Sequence, residues 1–261
     1  MPKINVYLSE ELASAVKEAG VPVSPVCQQA LTEAVAKVAR ARQAVEAIRN
    51  TELSQAALAR LGDALTGRLT VRLGTALDCA RQRAGTDADG ALVSTGQLLL
   101  GLLDEGGNLA LSILQSLEAD LDDLRSAAER TLGQPETAPS GSADPAVPDA
   151  GLPGAVALQL HELTMPGREA IASAIEQSIA FGHNYVGCEH LLLGLLASPG
   201  GQAGQALAEQ GVTEAEVRRA MAGALAGFAH GRRWSAASSP SRLDELTSRL
   251  DRLERRMAEL G

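Results

Sequence analysis

The chain has 261 residues, a formal net charge of −9 and 45% hydrophobic residues, but aromatic residues make up only 2%. This length allows one large domain or two to three small ones. A core of Leu, Ala, Val and Ile favours packed helices over a β-sandwich. The acidic balance argues against binding nucleic acid or an anionic membrane through the whole surface. The lysines do not follow a glycine-rich turn, so the sequence contains no P-loop; they are Lys3, Lys17 and Lys37.

The first fifty residues predict a strand followed by two helices. Residues 3–8, KINVYL, alternate apolar and polar side chains, which is typical of a strand. Ser9 is the predicted N-cap of a first helix that ends at Gly20. Ser24, followed by proline, is the predicted N-cap of a second helix that continues to about Ile48. A lone strand needs a partner for its backbone hydrogen bonds, and the same strand of a second copy would supply it.

This pattern over residues 3–45 resembles the ribbon-helix-helix fold, in particular the CcdA-like antitoxins and repressors. In that family, two strands form an antiparallel ribbon in the major groove of DNA, and a helix start lies against a phosphate. The resemblance implies that residues 1–50 bind DNA and dimerise. The implied DNA-binding residues are Lys3, Asn5, Tyr7 and Ser24. The alternative is a strand that only dimerises or pairs with the edge of another sheet.

An internal repeat follows a predicted connecting helix at 51–65. The two copies are residues 69–132 and 163–225, aligned at an offset of 93 through the LLLGLL segments at 98–103 and 191–196. Each copy predicts a long helix, a polar loop, a short apolar helix, a glycine-rich turn and two further helices. Because such units usually pack on each other, we expect a pseudo-twofold pair of four-helix repeats at 66–133 and 156–226.

The remaining segments are interpreted from composition. Residues 134–155 are rich in Pro, Ala and Ser and predict a flexible linker, and 227–240 predict a second loose segment. Residues 241–261 place Leu and Met at alternating spacings of three and four, which predicts a short coiled coil that would add to a homodimer. The alternative is a helix packed on its own domain. The expected fold class is therefore mainly α, with one short N-terminal strand.

The segment GHNYVGCEHLLLGLL at 182–196 is very similar to the hallmark of the Clp repeat, the N-terminal domain of the ClpA, ClpB and ClpC unfoldases. The usual form differs only in having Thr where this chain has Cys188. The resemblance is strong over 163–226 and weaker over 66–133. In that family, two repeats form an all-helical module that recruits substrates and adaptors to an ATPase ring. Without a P-loop, the chain looks like the small ATPase-less ClpC paralogues of actinobacteria.

ClpC-type modules bind phosphoarginine at the start of a repeat helix. A carboxylate there takes the guanidinium group, and the free backbone N–H groups with a hydroxyl take the phosphoryl group. In the second repeat, the resemblance implies a site made of Val186, Gly187, Cys188 and Glu189, of which Cys188 lacks the family hydroxyl. In the first repeat only Thr95 matches, because Gly96 replaces the acid and Gln97 replaces the histidine.

Several other interpretations of these residues are less favoured. His183, Glu189 and His190 do not have HExxH spacing and lack a further ligand, so we expect no metal and structural roles for the histidines. A helix start favours a reactive thiol at Cys188, but the adjacent acid opposes it. No Ser-His-Asp, paired-carboxylate or phosphate-loop arrangement emerges, so we expect a protein that is not an enzyme and has no cofactor.

We therefore predict a dimeric regulator that binds operator DNA and captures ligands of the ClpC N-domain as a decoy. Those ligands would be phosphoarginine-marked proteins or cyclic-peptide antibiotics. The alternative is an adaptor that binds ClpC itself and delivers substrates to the ClpC–ClpP protease, with its N-terminus used only to dimerise. The start MPKINVYLSEE has no apolar run typical of a signal peptide, and no segment approaches the ~18 apolar residues of a membrane span. We expect a cytoplasmic location.

Overall fold

A computed structural model describes residues 7–85, 91–134, 136 and 158–224. Within these ranges the chain is helical, which confirms the prediction of a mainly α fold, and none of the helices is long and apolar enough to cross a membrane. The helices are α1 (Glu10–Glu18), α2 (Val23–Arg49), α3 (Gln55–Thr66), α4 (Val71–Ala84), α5 (Thr95–Glu105), α6 (Leu109–Ser116), α7 (Leu121–Thr131), α8 (Met165–Ala180), α9 (Cys188–Leu196), α10 (Gln202–Glu209) and α11 (214–224), with a 3₁₀ turn at Leu160–Glu162.

Several predictions concern residues outside the described ranges. They are most of the predicted strand at 3–8, most of the linker at 134–155, the loose segment at 227–240 and the coiled coil at 241–261. Tyr7 and Leu8, the two described residues of the predicted strand, have no regular secondary structure.

The helices near the N-terminus differ from the prediction at one cap. Ser9 caps α1 as predicted, and Gly20 beyond its end has φ +62°, a conformation that suits glycine. The prediction that Ser24 caps α2 is wrong, because the helix already begins at Val23. Pro25 is tolerated inside the first turn because backbone N–H groups there have no partner within the helix.

The first part of the described chain contributes nothing to the core. No residue of α1 is buried, and the buried residues of α2 begin only at Ala41. From there α2 packs on α8, and Arg49 at its end binds Glu169 and Glu176 of that helix, with N–O distances of 2.7 and 2.6 Å. The second half of α2 is therefore anchored, and its first half lies exposed.

Helices α4–α7 and α8–α11 form two groups with the same order of elements. In each group the first two helices pack closely, α4 on α5 and α8 on α9. Gly101 of α5 lies against the carbonyl oxygen of Ala76, and Gly194 of α9 lies against that of Ala170. A methyl group at either glycine would overlap the oxygen. The aliphatic LLLGLL segment is therefore core, and its glycine permits the close contact between the helices.

Two short backbone pairings join the groups with pseudo-twofold symmetry. They are parallel bridges between Leu69 and Val186 and between Val93 and Leu163. Each joins the residue near the first helix of one group to the residue near the second helix of the other. The Val186 N–H donates to the Arg68 carbonyl, and the Val93 N–H donates to the Glu162 carbonyl, both at 2.7 Å. The starts of α5 and α9, where the ligand sites are predicted, are thus held against the opposite group.

Candidate functional site

The start of α9 is built from residues that already serve the fold. The backbone of Val186 is used in both directions, because its N–H is donated to Arg68 and its carbonyl accepts from the Thr70 N–H at 3.0 Å. The Gly187 N–H donates to His190 Nδ1 at 2.9 Å. Of the four predicted ligand-binding residues, only Cys188 and Glu189 thus retain N–H groups that are not donated to another residue.

The side chain of Glu189 folds back over the start of its own helix. It is only 5% exposed, and the Tyr185 side chain and the Glu189 backbone N–H lie where they favour the charged form of the carboxyl. A Cβ atom at Gly187 would lie 2.5 Å from Glu189 Oε2, so glycine is required there while the carboxylate keeps this position. Burial raises the pKa of the Glu189 carboxyl above its usual range.

His190 is the neutral residue that fixes this helix start. Its Nδ1 accepts from Gly187, so its Nε2 carries the proton and donates to His183 Nδ1 at 2.9 Å. Burial, followed by the nearby His183, lowers the pKa of His190 to about 3. Its Nδ1 also lies 3.3 Å from Glu189 Oε1. Because the ring is uncharged, this contact is not an ion pair.

Aromatic rings cover the histidines. His183 stacks with Tyr185 and with Phe181, with ring centroids 5.0 and 5.9 Å away. The rings of Phe181 and Tyr185 are also steeply inclined to the His190 ring, at 68° and 73°. The polar segment before α9 is therefore a packed cluster, and burial lowers the pKa of His183.

His183, Glu189 and His190 form the one group of side chains in the described ranges whose spacing is compatible with a metal ion, with ligand atoms within 4.8 Å of one another. The two imidazole nitrogens that face each other already share a hydrogen bond. The carboxylate lies beside the opposite nitrogen of His190. Both nitrogens of His190 and Nδ1 of His183 are thus already used in hydrogen bonds.

The Cys188 thiol is chemically quiet. It is 2% exposed, and burial together with the neighbouring Glu189 raises the pKa of the thiol far above its usual range. A thiol with a raised pKa yields little thiolate, so this group lacks the property that makes helix-start cysteines reactive.

The corresponding place in the first group is filled from within the chain. Thr95, which aligns with Cys188, is fully buried. Gly96, which aligns with Glu189, lies under Gln202 of the second group, so that a Cβ at Gly96 would be 2.7 Å from Gln202 Oε1. Ser94 Oγ donates to the same oxygen at 2.6 Å. The first group therefore has no acid at the position that aligns with Glu189, and Gln202 fills the adjoining space.

Sequence reasoning missed two residues at this place, Gln202 and Glu136, which both bond to groups at the start of α5. The glycine-rich turn before Gln202 was recognised, but nothing in the sequence showed that the turn of one repeat covers the helix start of the other. Glu136 falls in the segment predicted to be a flexible linker.

Two of the four predicted DNA-binding residues, Tyr7 and Ser24, fall in the described ranges. Lys3 and Asn5 are outside the described ranges. Tyr7 is 93% exposed. Ser24 is exposed in the first turn of α2, where its hydroxyl accepts from the Gln28 side chain at 3.4 Å.

Comparison with known proteins points to one family. The model of the Clp repeat (R) N-terminal domain matches residues 68–150 and 162–259. Chaperone protein ClpC1 of Arabidopsis thaliana chloroplasts is 33% identical over 126 residues, which cover 48% of this chain and 12% of that protein. The ClpA homolog of Cyanidium caldarium, an ATP-dependent Clp protease ATP-binding subunit, is 36% identical over 126 residues, covering 48% and 13% respectively. This chain thus spans a small part of either relative.

Among solved structures, the N-terminal domain of the chaperone ClpD from Arabidopsis thaliana is similar, with a TM-score of 0.43 and 21% identity. The similarity covers 62% of this chain and 96% of that domain.

Proposed function

Because this chain belongs to the Clp repeat (R) N-terminal domain family, whose model matches more than half of it, we propose that it works by binding and not by catalysis. In this proposal the second repeat captures ligands of the ClpC N-domain, and Glu189 at the start of α9 is the residue that recognises them.

The observation that supports the proposal most strongly is that Glu189 is a buried acid without a cationic partner among the described residues. The carboxylate is 5% exposed, and no Lys or Arg among the described residues lies within ion-pair distance of it. Buried carboxylates in proteins are normally paired with a cation, because an unpaired buried charge is costly. A guanidinium group of a ligand would supply the missing cation, and its fork of N–H donors matches a carboxylate.

The neighbouring backbone would receive the phosphoryl group of a phosphoarginine side chain. The N–H groups of Cys188 and Glu189 lie in the first turn of α9, where a helix leaves its donors unpaired and attracts anions. Binding requires the buried Glu189 carboxylate to turn toward the guanidinium. Cys188 offers no hydroxyl, so we expect weaker binding than at a threonine.

Calorimetry with free phosphoarginine tests this proposal. We expect heat of binding with the wild-type chain at one site per chain, and loss of that heat in Glu189→Gln, which keeps the size of the side chain but removes its charge. Glu52→Gln, on the exposed loop between α2 and α3, is the matched control and should bind as wild type. Equal binding by Glu189→Gln and wild type would refute the assignment.

We propose that captured ligands, phosphoarginine-marked proteins or cyclic-peptide antibiotics, are withheld from ClpC, so that the chain is a decoy. The alternative is an adaptor that binds ClpC and delivers substrates to ClpC–ClpP. The two functions predict opposite effects on the rate of degradation. In a reconstituted ClpC–ClpP reaction on a phosphoarginine-marked substrate, a decoy slows degradation and an adaptor speeds it. A faster reaction would therefore reject the decoy.

We further propose that the N-terminus forms a homodimer, supported by exposed apolar side chains on α1 and α2. Leu12, Val26, Leu31 and Val35 are 50% to 68% exposed. Exposed apolar side chains in such numbers commonly mark an interface, and a second copy supplies the same side chains in a twofold arrangement. Sedimentation velocity should show a dimer for the wild-type chain and a monomer for the Leu31→Glu, Val35→Glu double variant. A wild-type monomer would refute the proposal.

In this proposal the dimer presents Lys3, Asn5, Tyr7 and Ser24 to operator DNA and represses its own gene. A gel shift on the promoter of that gene at low salt, where electrostatic binding is strongest, tests the idea. We expect a shift with the wild-type chain and its loss in the Lys3→Ala, Asn5→Ala, Tyr7→Ala variant, with the dimer retained. A wild-type chain that gives no shift would leave the N-terminus with dimerisation alone.

A further inference from the structure

The carboxylate of Glu136, beyond the end of α7, lies on the start of α5. Its Oε1 accepts hydrogen bonds from the backbone N–H of Thr95, at 2.9 Å, and from the Thr95 hydroxyl. Its Oε2 accepts from the Thr164 hydroxyl at 2.7 Å. Thr164 is the N-cap of α8, so this one side chain joins helix starts that belong to the two different repeats.

Both hydroxyl groups are oriented toward Glu136 by other contacts. Thr95 Oγ1 accepts from the Ala203 N–H at 3.2 Å, and Thr164 Oγ1 accepts from the Gly167 N–H at 3.1 Å. Each hydroxyl uses a lone pair on the backbone and has its proton free to donate. The acceptor that both protons meet is the carboxylate. An acid is also favoured at a helix start by the helix dipole.

This contact occupies the place in the first repeat that aligns with the proposed ligand site of the second. Thr95 corresponds to Cys188, and the carboxylate oxygens of Glu136 receive the N–H and hydroxyl that an external oxoanion would otherwise meet. Gln202 fills the adjoining space above Gly96. We propose that Glu136 is an internal acidic latch, which ties α5 to α8 and closes the first repeat to external oxoanions. Only the closure rests on the proposed function; the latch rests on the three contacts of Glu136.

Hydrogen exchange of the Thr95 amide, followed by NMR in the full chain, tests the latch. Glu136→Ala removes the acceptor, and Glu136→Gln keeps one acceptor oxygen without the charge. We expect exchange to become about tenfold faster in Glu136→Ala, as for loss of a hydrogen bond to a charged group, and to increase less in Glu136→Gln. Glu52→Gln is the control and should exchange as wild type. An unchanged Thr95 rate in Glu136→Ala would overturn the latch.

Inorganic phosphate is the probe for closure. We expect phosphate to move the Thr95 amide resonance in Glu136→Ala and to leave it in place in the wild-type chain. Equal movement in both chains, or none in either, would show that Glu136 closes nothing. Neither measurement involves Glu189, so a second repeat that fails to bind phosphoarginine would refute the proposed function and leave the latch standing.

Discussion

His190→Gln is expected to reverse its effect on stability between neutral and acidic pH. The first repeat contains the substituted residue already: Gln97 Oε1 accepts from the Ser94 N–H at 2.7 Å, just as His190 Nδ1 accepts from Gly187. The variant should therefore keep the cap of α9. It loses the hydrogen bond to His183, which we expect to cost about 1 kcal/mol at pH 7.5.

The acidic side of the prediction follows from the lowered pKa of His190, about 3 in the folded chain against an ordinary 6.5. The unfolded chain takes up the proton first as the pH falls. The stability that depends on neutral His190 is complete above pH 6.5 and is lost progressively as the pH falls toward 3. Two pH units below 6.5 the loss amounts to about 3 kcal/mol, at roughly 1.4 kcal/mol per unit.

The glutamine variant has no such loss, so it should be the more stable chain at pH 4.5 by about 2 kcal/mol. The raised pKa of Glu189 acts in the opposite direction, adding stability as the pH falls, but that carboxyl is present in both chains. Urea unfolding followed by circular dichroism at pH 7.5, 6.0 and 4.5 measures the difference. Ile175→Val changes a buried residue at a similar cost in stability and is the control. Its free energy of unfolding should differ from that of wild type by the same amount at all three pH values. A constant difference between wild type and His190→Gln at all three pH values would refute a neutral, buried His190.

Three further outcomes follow from the contacts described above. Gly194→Ala and Gly101→Ala should each lower the free energy of unfolding in urea by about 3 kcal/mol, because the added methyl overlaps a backbone oxygen of the facing helix. Gly67→Ala is the control and should be close to neutral, because Gly67 has open space around it and φ −64°. Similar losses at all three positions would contradict this packing. Arg49→Ala should lower stability by only about 1 kcal/mol, and by less at high salt, since the ion pairs of Arg49 with α8 are partly exposed. A loss in thermal melts that does not depend on salt would contradict this weak, screened contribution of the ion pairs. Cys188→Thr restores a hydroxyl at the start of α9 and should tighten phosphoarginine binding about fivefold in calorimetry, an effect that should vanish when Glu189→Gln is added.

Local signals in the sequence predicted the helices well. The helix α1 begins after a capping serine, Ser9, and ends before a left-handed glycine, Gly20, as predicted. The LLLGLL segments indicated both the repeat and its core. The misplaced cap at Ser24 has a local cause as well. Proline fits several positions of a first turn, so the Ser-Pro pair did not fix where α2 begins.

The condition of the two helix starts could not be predicted, because it depends on contacts between residues far apart in the chain. Gln202 covers Gly96 from the other repeat. Glu136 reaches Thr95 and Thr164 from a segment whose composition indicates only a linker. The position of the Glu189 carboxylate likewise depends on the absence of a side chain at Gly187.

The two repeats thus have the same order of helices but differ in the side chains at the starts of α5 and α9. In the second repeat, the start of α9 carries a buried acid that has no cationic partner among the described residues. In the first repeat, Glu136 and Gln202 cover the start of α5. The sequence difference between Glu189 and Gly96 is therefore accompanied by a difference in which side chains fill the space.

Mapping of backbone amide resonances during a titration with phosphoarginine tests this division most directly. We predict that the amide resonances of Cys188 and Glu189 move together and saturate, while that of Thr95 stays in place. Movement of Thr95 to the same extent, or no movement at the start of α9, would contradict it.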